Sequence, residues 1–243
     1  MISGLFHQAF FLPLYNALVW LSGSLLGGDI GLAIIVLTLL VKIVLFPLQH
    51  RVNKTQITLK RLEPALADLK KKHASDRNEQ AKQTMALYKE HGVNPFGGFL
   101  VLLIQIPILL ALFWVFKDSF LLKPEWIYSF VTAPLAPSTE LLGFLDITTR
   151  SIWLALLVGV TQFFQMHLVM PPTPKRAEGE TSSLGADFSR SLSLQMRYFM
   201  PIMVVFIAIS LPAAVPLYWI TSNLFAIAHE IFINRRLKKS FPS

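Results

Sequence analysis

Apolar residues run almost unbroken through several stretches of this chain, with polar residues gathered between them. Ile30 to Leu48 is one such run, interrupted by Thr38 and Lys42. Phe96 to Phe116 is a second and contains Gln105 and Pro107; Ser151 to Met170 is a third, polar in its second half at Thr161, Gln162 and Gln165. A helix needs about 20 mostly apolar residues to cross a bilayer core. Phe199 to Ile233 is too long for one crossing, and Leu211-Pro-Ala-Ala-Val-Pro216 divides it, because proline removes a backbone donor and clashes with the preceding turn. The pattern predicts five spans, at 30–49, 96–116, 151–170, 198–211 and 215–234. The last two form a helical hairpin and are short enough to need a thin bilayer.

The first stretch, 4–26, is different. Leu5, Phe6, Phe10, Phe11, Leu14, Leu18, Trp20 and Leu21 share it with His7, Gln8, Pro13 and Asn16. No basic residue precedes it, as a signal peptide would require. An interfacial helix fits it better than a sixth span or an uncleaved signal, although the usual basic polar face is missing.

Between the first two spans, 52–92 has no apolar run. Leu59, Leu62, Leu66 and Leu69 recur at spacings of three and four, which is one helical stripe. After the polar break His73–Arg77, Met85, Leu87 and Tyr88 make a weaker stripe that Gly92 and Pro95 end. The expectation is a basic, amphipathic helical hairpin. It is either a docking element for a client peptide or ribosome, with Lys54, Lys60, Arg61, Lys70, Lys71 and Lys72 as its charges, or a linker held on anionic lipid. Residues 171–197 begin with prolines and small polar residues and read as a loop.

Composition and charge sharpen this picture. Hydrophobic residues make up 53% of the 243, charged ones 15%, and cysteine is absent. Such a balance excludes a disordered chain and a disulfide scaffold, and without cysteine there is no thiolate metal site. The net charge is +8. Of 22 basic residues, ten fall in 50–92, four in 171–198 and four in the tail 235–243, as Arg235, Arg236, Lys238 and Lys239. With five spans these three segments share one face, which the excess of Lys and Arg marks as cytoplasmic. The opposite face receives the net-acidic segment 118–150 and the N-terminus.

Lys42 carries the most chemical information. It falls near the middle of its span, somewhat toward the cytoplasmic side, and no acid lies inside any span to neutralise it. A charge at that depth costs about 3 kcal/mol on the mildest scale, which makes it a functional candidate. It suggests a hydrated cavity open to the cytoplasm. The competing reading is a lysine snorkelling to the inner interface, since the six residues to Leu48 span only about 9 Å. Thr38, Gln105, Thr161, Gln162, Gln165, Thr221, Ser222 and Asn223 are candidates to line the same cavity. Singly, each is more often a helix–helix hydrogen bond. The sequence has no HExxH, P-loop or G-x-S-x-G motif, so no enzyme, cofactor or metal is expected.

Several strings resemble one family. Gly31 to Leu48, with Lys42 inside it, resembles the first core span of the YidC/Oxa/Alb membrane insertases. Met85-Ala-Leu-Tyr-Lys-Glu-His-Gly-Val-Asn-Pro95 is similar to the end of their cytoplasmic hairpin, and Asn94-Pro-Phe-Gly-Gly98 with Leu103-Ile-Gln-Ile-Pro-Ile108 to their second span. Met200-Pro-Ile and Leu217-Tyr-Trp-Ile-Thr-Ser-Asn-Leu224 resemble the last two. The resemblance implies an all-α integral membrane protein of the bacterial plasma membrane, in a short form without the extracytoplasmic domain of Gram-negative members. It implies five transmembrane helices around a hydrophilic groove open to the cytoplasm and to lipid. It implies a protein that moves short polar segments of nascent clients across the bilayer, with the ribosome, a signal-recognition receptor, the Sec translocon and anionic lipids as candidate partners. Family members usually carry arginine in the groove; Lys42 keeps the charge but loses the planar fork of donors. The competing function is a small-solute or ion channel or transporter with Lys42 as its pathway charge.

Overall fold

The computed structural model describes residues 4–73, 76–93, 106–108, 110–116, 123–169 and 195–240, with the side chains of 53, 54, 56, 57, 60, 63, 70, 77, 169, 196 and 234–240 outside that description. The chain divides into two compact units: Met1–Val44 with Pro107–Ser243, and Leu45–Ile106.

In the first unit the chain opens with a helical turn at Gly4–Phe6, widens to a π turn at His7–Phe11, and continues as α1, Leu12–Ser24. Pro13 stands at the junction of the π turn and α1, where its missing N–H removes one bond from the ladder without ending the helix. Gly27 and Gly28 then take left-handed conformations, φ 60° and 94°. Gly28 also lies where a Cβ would stand 2.5 Å from the Ala136 carbonyl oxygen. The pair turns the chain into α2, Ile30–Lys72. Asp29 caps α2: its Oδ1 accepts from the Leu32 N–H at 2.8 Å, satisfying one of the helix's orphan donors.

Apolar helices α4 (Ile106–Phe116), α5 (Ile152–Val169) and α6 (Met200–Ile209), with the long α7 (Ala214–Ser240), complete this unit. α5 packs on both α6 and α7 around Val158, Val204 and Ile220, with Leu154 and Trp219 against them. Gly159 allows the α5–α6 approach, since a Cβ there would run into the Val205 Cγ2 methyl. Small residues at such crossings let helix backbones come close. Phe116 of α4 and Tyr218 of α7 bring their rings to 5.9 Å.

Segment 123–150 ties the helix ends of this unit together at one end. Asn16 of α1 donates through Nδ2 to the Trp126 carbonyl at 2.8 Å and accepts at Oδ1 from the Tyr128 N–H at 2.7 Å. The Ser138 N–H donates to the Gly28 carbonyl, and the Ile30 N–H donates to the Ser138 carbonyl. The Ala213 and Ala214 N–H groups, at the α6–α7 turn, donate to the carbonyls of Thr149 and Ile147. Within the segment, β1 (Glu140–Leu141) and β2 (Leu145–Asp146) pair antiparallel, with Glu140 opposite Asp146. Leu142 and Gly143 between them have φ 52° and 77°. Gly143 adopts this freely, whereas for Leu142 a left-handed backbone costs about 1–2 kcal/mol. The Leu142 N–H is held by Asp29 Oδ2 at 2.8 Å, so one carboxylate caps α2 and clamps the hairpin 113 residues away.

The second unit holds the rest of α2 and α3, Arg77–Glu90. Asp76 caps α3 by accepting from Asn78 and Glu79 N–H groups at 3.0 Å. At its far end Gly92 is left-handed, φ 61°, and the Gly92 and Val93 N–H groups return to the Lys89 and Tyr88 carbonyls, a Schellman stop. Burial raises the Tyr88 hydroxyl pKa above its ordinary value.

Helices α5 and α6 fall within the segments 151–170 and 198–211, and a π turn at Gln195–Phe199 precedes α6. Two helices outrun their hydropathic bounds. α2 passes position 49 and continues to Lys72 with Pro47 and Pro64 inside it, and α7 carries on through the basic tail to Ser240. A change from apolar to basic side chains marks where a helix would leave a membrane, and it does nothing to break the backbone. Of the span predicted at 96–116, residues 96–105 lie outside the described residues, as does 171–194 of the expected loop. The all-α expectation is amended by the small β1–β2 hairpin.

Candidate functional site

α2 places Thr38 and Lys42 one turn apart on one side, and both are buried. Lys42 is 7% exposed and has no hydrogen-bond or ion-pair partner among the described residues. Thr38 donates from its hydroxyl to the Ile34 carbonyl at 2.6 Å. That bond uses the hydroxyl's only proton within its own helix and leaves the oxygen as an acceptor.

α5 and α7 supply a second set of buried polar groups in the same unit: Thr161, Gln162, Thr221, Ser222 and Asn223. Asn223 Nδ2 donates to Thr161 Oγ1 at 3.2 Å, joining the two helices. Thr161 in turn donates to the Leu157 and Val158 carbonyl region of its own helix, at 2.9 and 3.0 Å. Gln162 Nε2 donates to the half-buried Gln165 at Oε1, 3.1 Å, and Thr221 donates to the Leu217 carbonyl at 2.8 Å. The structure therefore brings Thr161 and Asn223 together directly and Gln162 and Gln165 along one helix. Farther along α7, His229 and Glu230 are both buried.

Gln105 lies outside the described residues. Of the basic hairpin, Arg61, Lys71 and Lys72 are exposed on the later turns of α2, whereas the side chains of Lys54, Lys60 and Lys70 are outside the description. The same holds for Arg235, Arg236, Lys238 and Lys239, whose backbone is helical.

Residues that pattern reading passed over organise the other end of this unit. Asp29 and Asn16 each make contacts more than a hundred residues along the chain. Tyr15 accepts at its hydroxyl from the Lys123 N–H at 2.9 Å, and Lys123 Nζ sits 3.8 Å from the Trp126 ring centroid. His7, Phe11 and Tyr15 all meet that ring edge-on. For Asp29 alone a sequence signal exists, Gly-Gly-Asp directly before an apolar run.

One helix among the described residues, Ile30–Val52, has the length and apolarity to cross a membrane; Ile106–Phe116, Ile152–Leu168 and Arg197–Ile209 are shorter apolar helices. The described residues are mostly helical, and the one helix among them long and apolar enough to span carries a buried cation; with the family match, this makes the class an α-helical membrane protein. The family model described as "60Kd inner membrane protein" matches residues 20–240, and the chain belongs to that family. A "Membrane protein insertase YidC" of Fusobacterium nucleatum subsp. nucleatum is 32% identical over 209 residues, covering 86% of this chain and 88% of that protein. Proteins of the same name from Nitratidesulfovibrio vulgaris and Wolinella succinogenes are each 32% identical over 86% and 93% of this chain. The chain spans only 36% and 37% of the length of those two. The channel or transporter reading receives no support from these relatives.

Proposed function

We propose that this protein is a membrane protein insertase of the bacterial inner membrane. In this reading it carries short polar segments of nascent membrane proteins across the bilayer and releases their apolar helices into lipid. The observation that carries it is Lys42, a cation buried in the one helix among the described residues that is long and apolar enough to span, with no hydrogen-bond or ion-pair partner among those residues. An ammonium in such a place is stabilised by water or by a visiting anion, and an acidic client tail supplies the second.

Five spans, at 30–49, 96–116, 151–170, 198–211 and 215–234, enclose a groove open to the cytoplasm, with the N-terminus outside. Thr38, Gln105, Thr161, Gln162, Gln165, Thr221, Ser222 and Asn223 are its polar lining. The buried hydroxyls and amides on α2, α5 and α7 support this lining, because each retains acceptor oxygens that can hold water. Segment 123–150, which ties the helix ends together, supports a closed outer end. The N-terminal helix lies at that outer interface beside Trp126, a residue type favoured at headgroup level.

The mechanism needs no bond chemistry. Carrying a polar tail through hydrocarbon is opposed by desolvation, and a wet groove reaching half-way shortens the dry path. The apolar helix Arg197–Ile209, which includes α6, is about 20 Å long against a hydrocarbon core of about 30 Å, which supports a locally thinned bilayer. Once the tail is across, the client's apolar segment moves into lipid, favoured by roughly 0.8 kcal/mol per buried methylene. The basic hairpin and tail receive the client, its ribosome or a targeting receptor by charge attraction, and anionic lipid holds the same charges between clients. The Sec translocon would act beside the protein for larger clients.

The test is reconstitution of this chain alone into liposomes with a single-span client that carries an acidic outer tail. Protease protection of the tail, without ion leakage, supports an autonomous insertase. An unprotected tail with ion flux would overturn it in favour of a channel.

A further inference from the structure

The segment that ties the helix ends of the first unit together also presents apolar side chains outward. Leu135 is fully exposed at 106%, Phe130 at 79%, Phe144 at 76% and Leu142 at 62%. Exposed single apolar residues are ordinary, but three features set these apart.

The first is rigidity. The backbone on either side of Leu135 is pinned: Thr132 and Pro134 lie against Gly23, where a Cβ would come within 2.8 Å of the Thr132 oxygen, and Ala136 lies against Gly28. Leu135 is therefore held outward by a fixed backbone. The second is strain without burial. Leu142 occupies a left-handed turn position that glycine or asparagine fills at less cost, and its side chain gains no compensating burial within the chain. The third is charge distribution. Residues 127–139 contain no charged side chain and no histidine. The hairpin's two acids, Glu140 and Asp146, face each other at its base, whereas Leu142 and Phe144 occupy its tip.

We propose that Leu135 and the hairpin tip at Leu142 and Phe144 insert into the interfacial layer of the outer leaflet. This rests on the membrane-spanning reading given above. Lipid is the occupant that the surroundings favour. Six residues after the hairpin, α5 begins with exposed Ile152 and Trp153 and continues outward-facing through Leu156 and Val160. Trp153 is the type of residue that marks headgroup level. The outward apolar residues of α5 thus begin within a few residues of the hairpin, with exposed Thr149 and Arg150 between them at the polar headgroup level, and the stretch 127–139 carries no charge to oppose insertion. Two fixed apolar contacts beside the span would hold the depth of the first unit constant while a polar client tail crosses.

The natural absence of cysteine makes a site-specific test direct. Leu135→Cys, Phe144→Cys, Glu140→Cys and Phe206→Cys, each in the full chain, are labelled with an environment-sensitive fluorophore and reconstituted into phosphatidylcholine–phosphatidylglycerol vesicles. Quenching is compared between iodide in water and lipids spin-labelled near the headgroup. The labels at positions 135 and 144 should show blue-shifted emission and lose more fluorescence to the spin-labelled lipid than to iodide, with the reverse at 140. Preferential iodide quenching at 135 and 144, with position 206 quenched by lipid, would overturn the proposal and leave the spanning reading intact. Shielding of 135 and 144 from both quenchers would overturn it in favour of a second copy of the chain. Failure of lipid to quench at 206 would remove the spanning reading and this inference with it.

Discussion

Asp29 joins two structures that are far apart in sequence, and removing its carboxylate should weaken both together. Its Oδ1 accepts from Leu32 at the start of α2, and its Oδ2 accepts from Leu142 in the hairpin turn. Loss of an N-cap typically costs about 1 kcal/mol, with the charge–dipole interaction included in part. A bond from a backbone N–H to a carboxylate contributes more than a neutral one when buried, and Leu142 is solvent-exposed, so we assign it the lower end, about 1 kcal/mol. Asp29→Ala should then destabilise this end by about 2 kcal/mol, which is roughly a 30-fold rise in local opening by the usual conversion. Asp29→Asn keeps a capping oxygen but has one acceptor where the carboxylate has two, so it should lose about half as much. Hydrogen exchange in detergent micelles, read on peptides covering 29–36 and 138–148, measures both ends at once. Faster exchange in both regions for Asp29→Ala, with an intermediate effect for Asp29→Asn, is the expected result. A change confined to the first turn of α2 would refute the coupling.

Gly159→Val should force α5 and α6 apart, because even a Cβ meets the stiff Val205 side chain; a loss of about 1–3 kcal/mol in thermal stability is expected, partly restored by Val205→Ala, and an unchanged melting midpoint would contradict the close packing. Asn223→Ala removes the hydrogen bond between α7 and α5 and should cost between about 0.6 and 1.7 kcal/mol by equilibrium unfolding, with Thr161→Val adding little to it in a double-mutant cycle; full additivity would show that the two side chains act separately. The Asp146 carboxyl is held below its ordinary pKa by the Thr148 hydroxyl and then the Thr148 N–H, at 2.7 and 2.8 Å. A depressed carboxylate pKa stabilises the fold above the unfolded value of about 3.9 and loses that contribution as pH falls through the folded value. The stability gap between wild type and Asp146→Ala should therefore be present at neutral pH and close in acid below that range, and a gap independent of pH would contradict the assignment.

The apolar helices α5 and α6 were legible because apolar runs and their interruptions are local. Pro212 lies in the turn between α6 and α7 and Pro216 in the first turn of α7, where proline is tolerated, and Gly92 ends α3 with the left-handed turn that glycine favours. The extent of α2 and α7 was not legible from hydropathy, because basic side chains are compatible with helix and only the surroundings change at position 49 or 235. Pro47 and Pro64 each remove one hydrogen bond from a 43-residue helix without ending it. The segment 123–150 was least legible. Its order comes from Asn16, Tyr15 and Asp29, polar groups whose partners lie more than a hundred residues away, and no local period encodes such contacts. Lys42 was legible as a candidate because charge inside an apolar run is conspicuous. That Thr161 and Asn223 meet was not, because helix-facing angles are undetermined by composition alone.

The central claim is that the charge on Lys42 works on clients. Its direct measure is the fraction of an acidic-tailed single-span client protected from protease in liposomes containing wild type, Lys42→Arg, Lys42→Ala or Lys42→Glu, at equal reconstituted protein. Lys42→Arg should keep most of the wild-type protection, Lys42→Ala should lose a large part of it, and Lys42→Glu should lose the most, with a client of neutral tail much less affected. Equal protection of the acidic tail by Lys42→Glu and wild type would contradict the account.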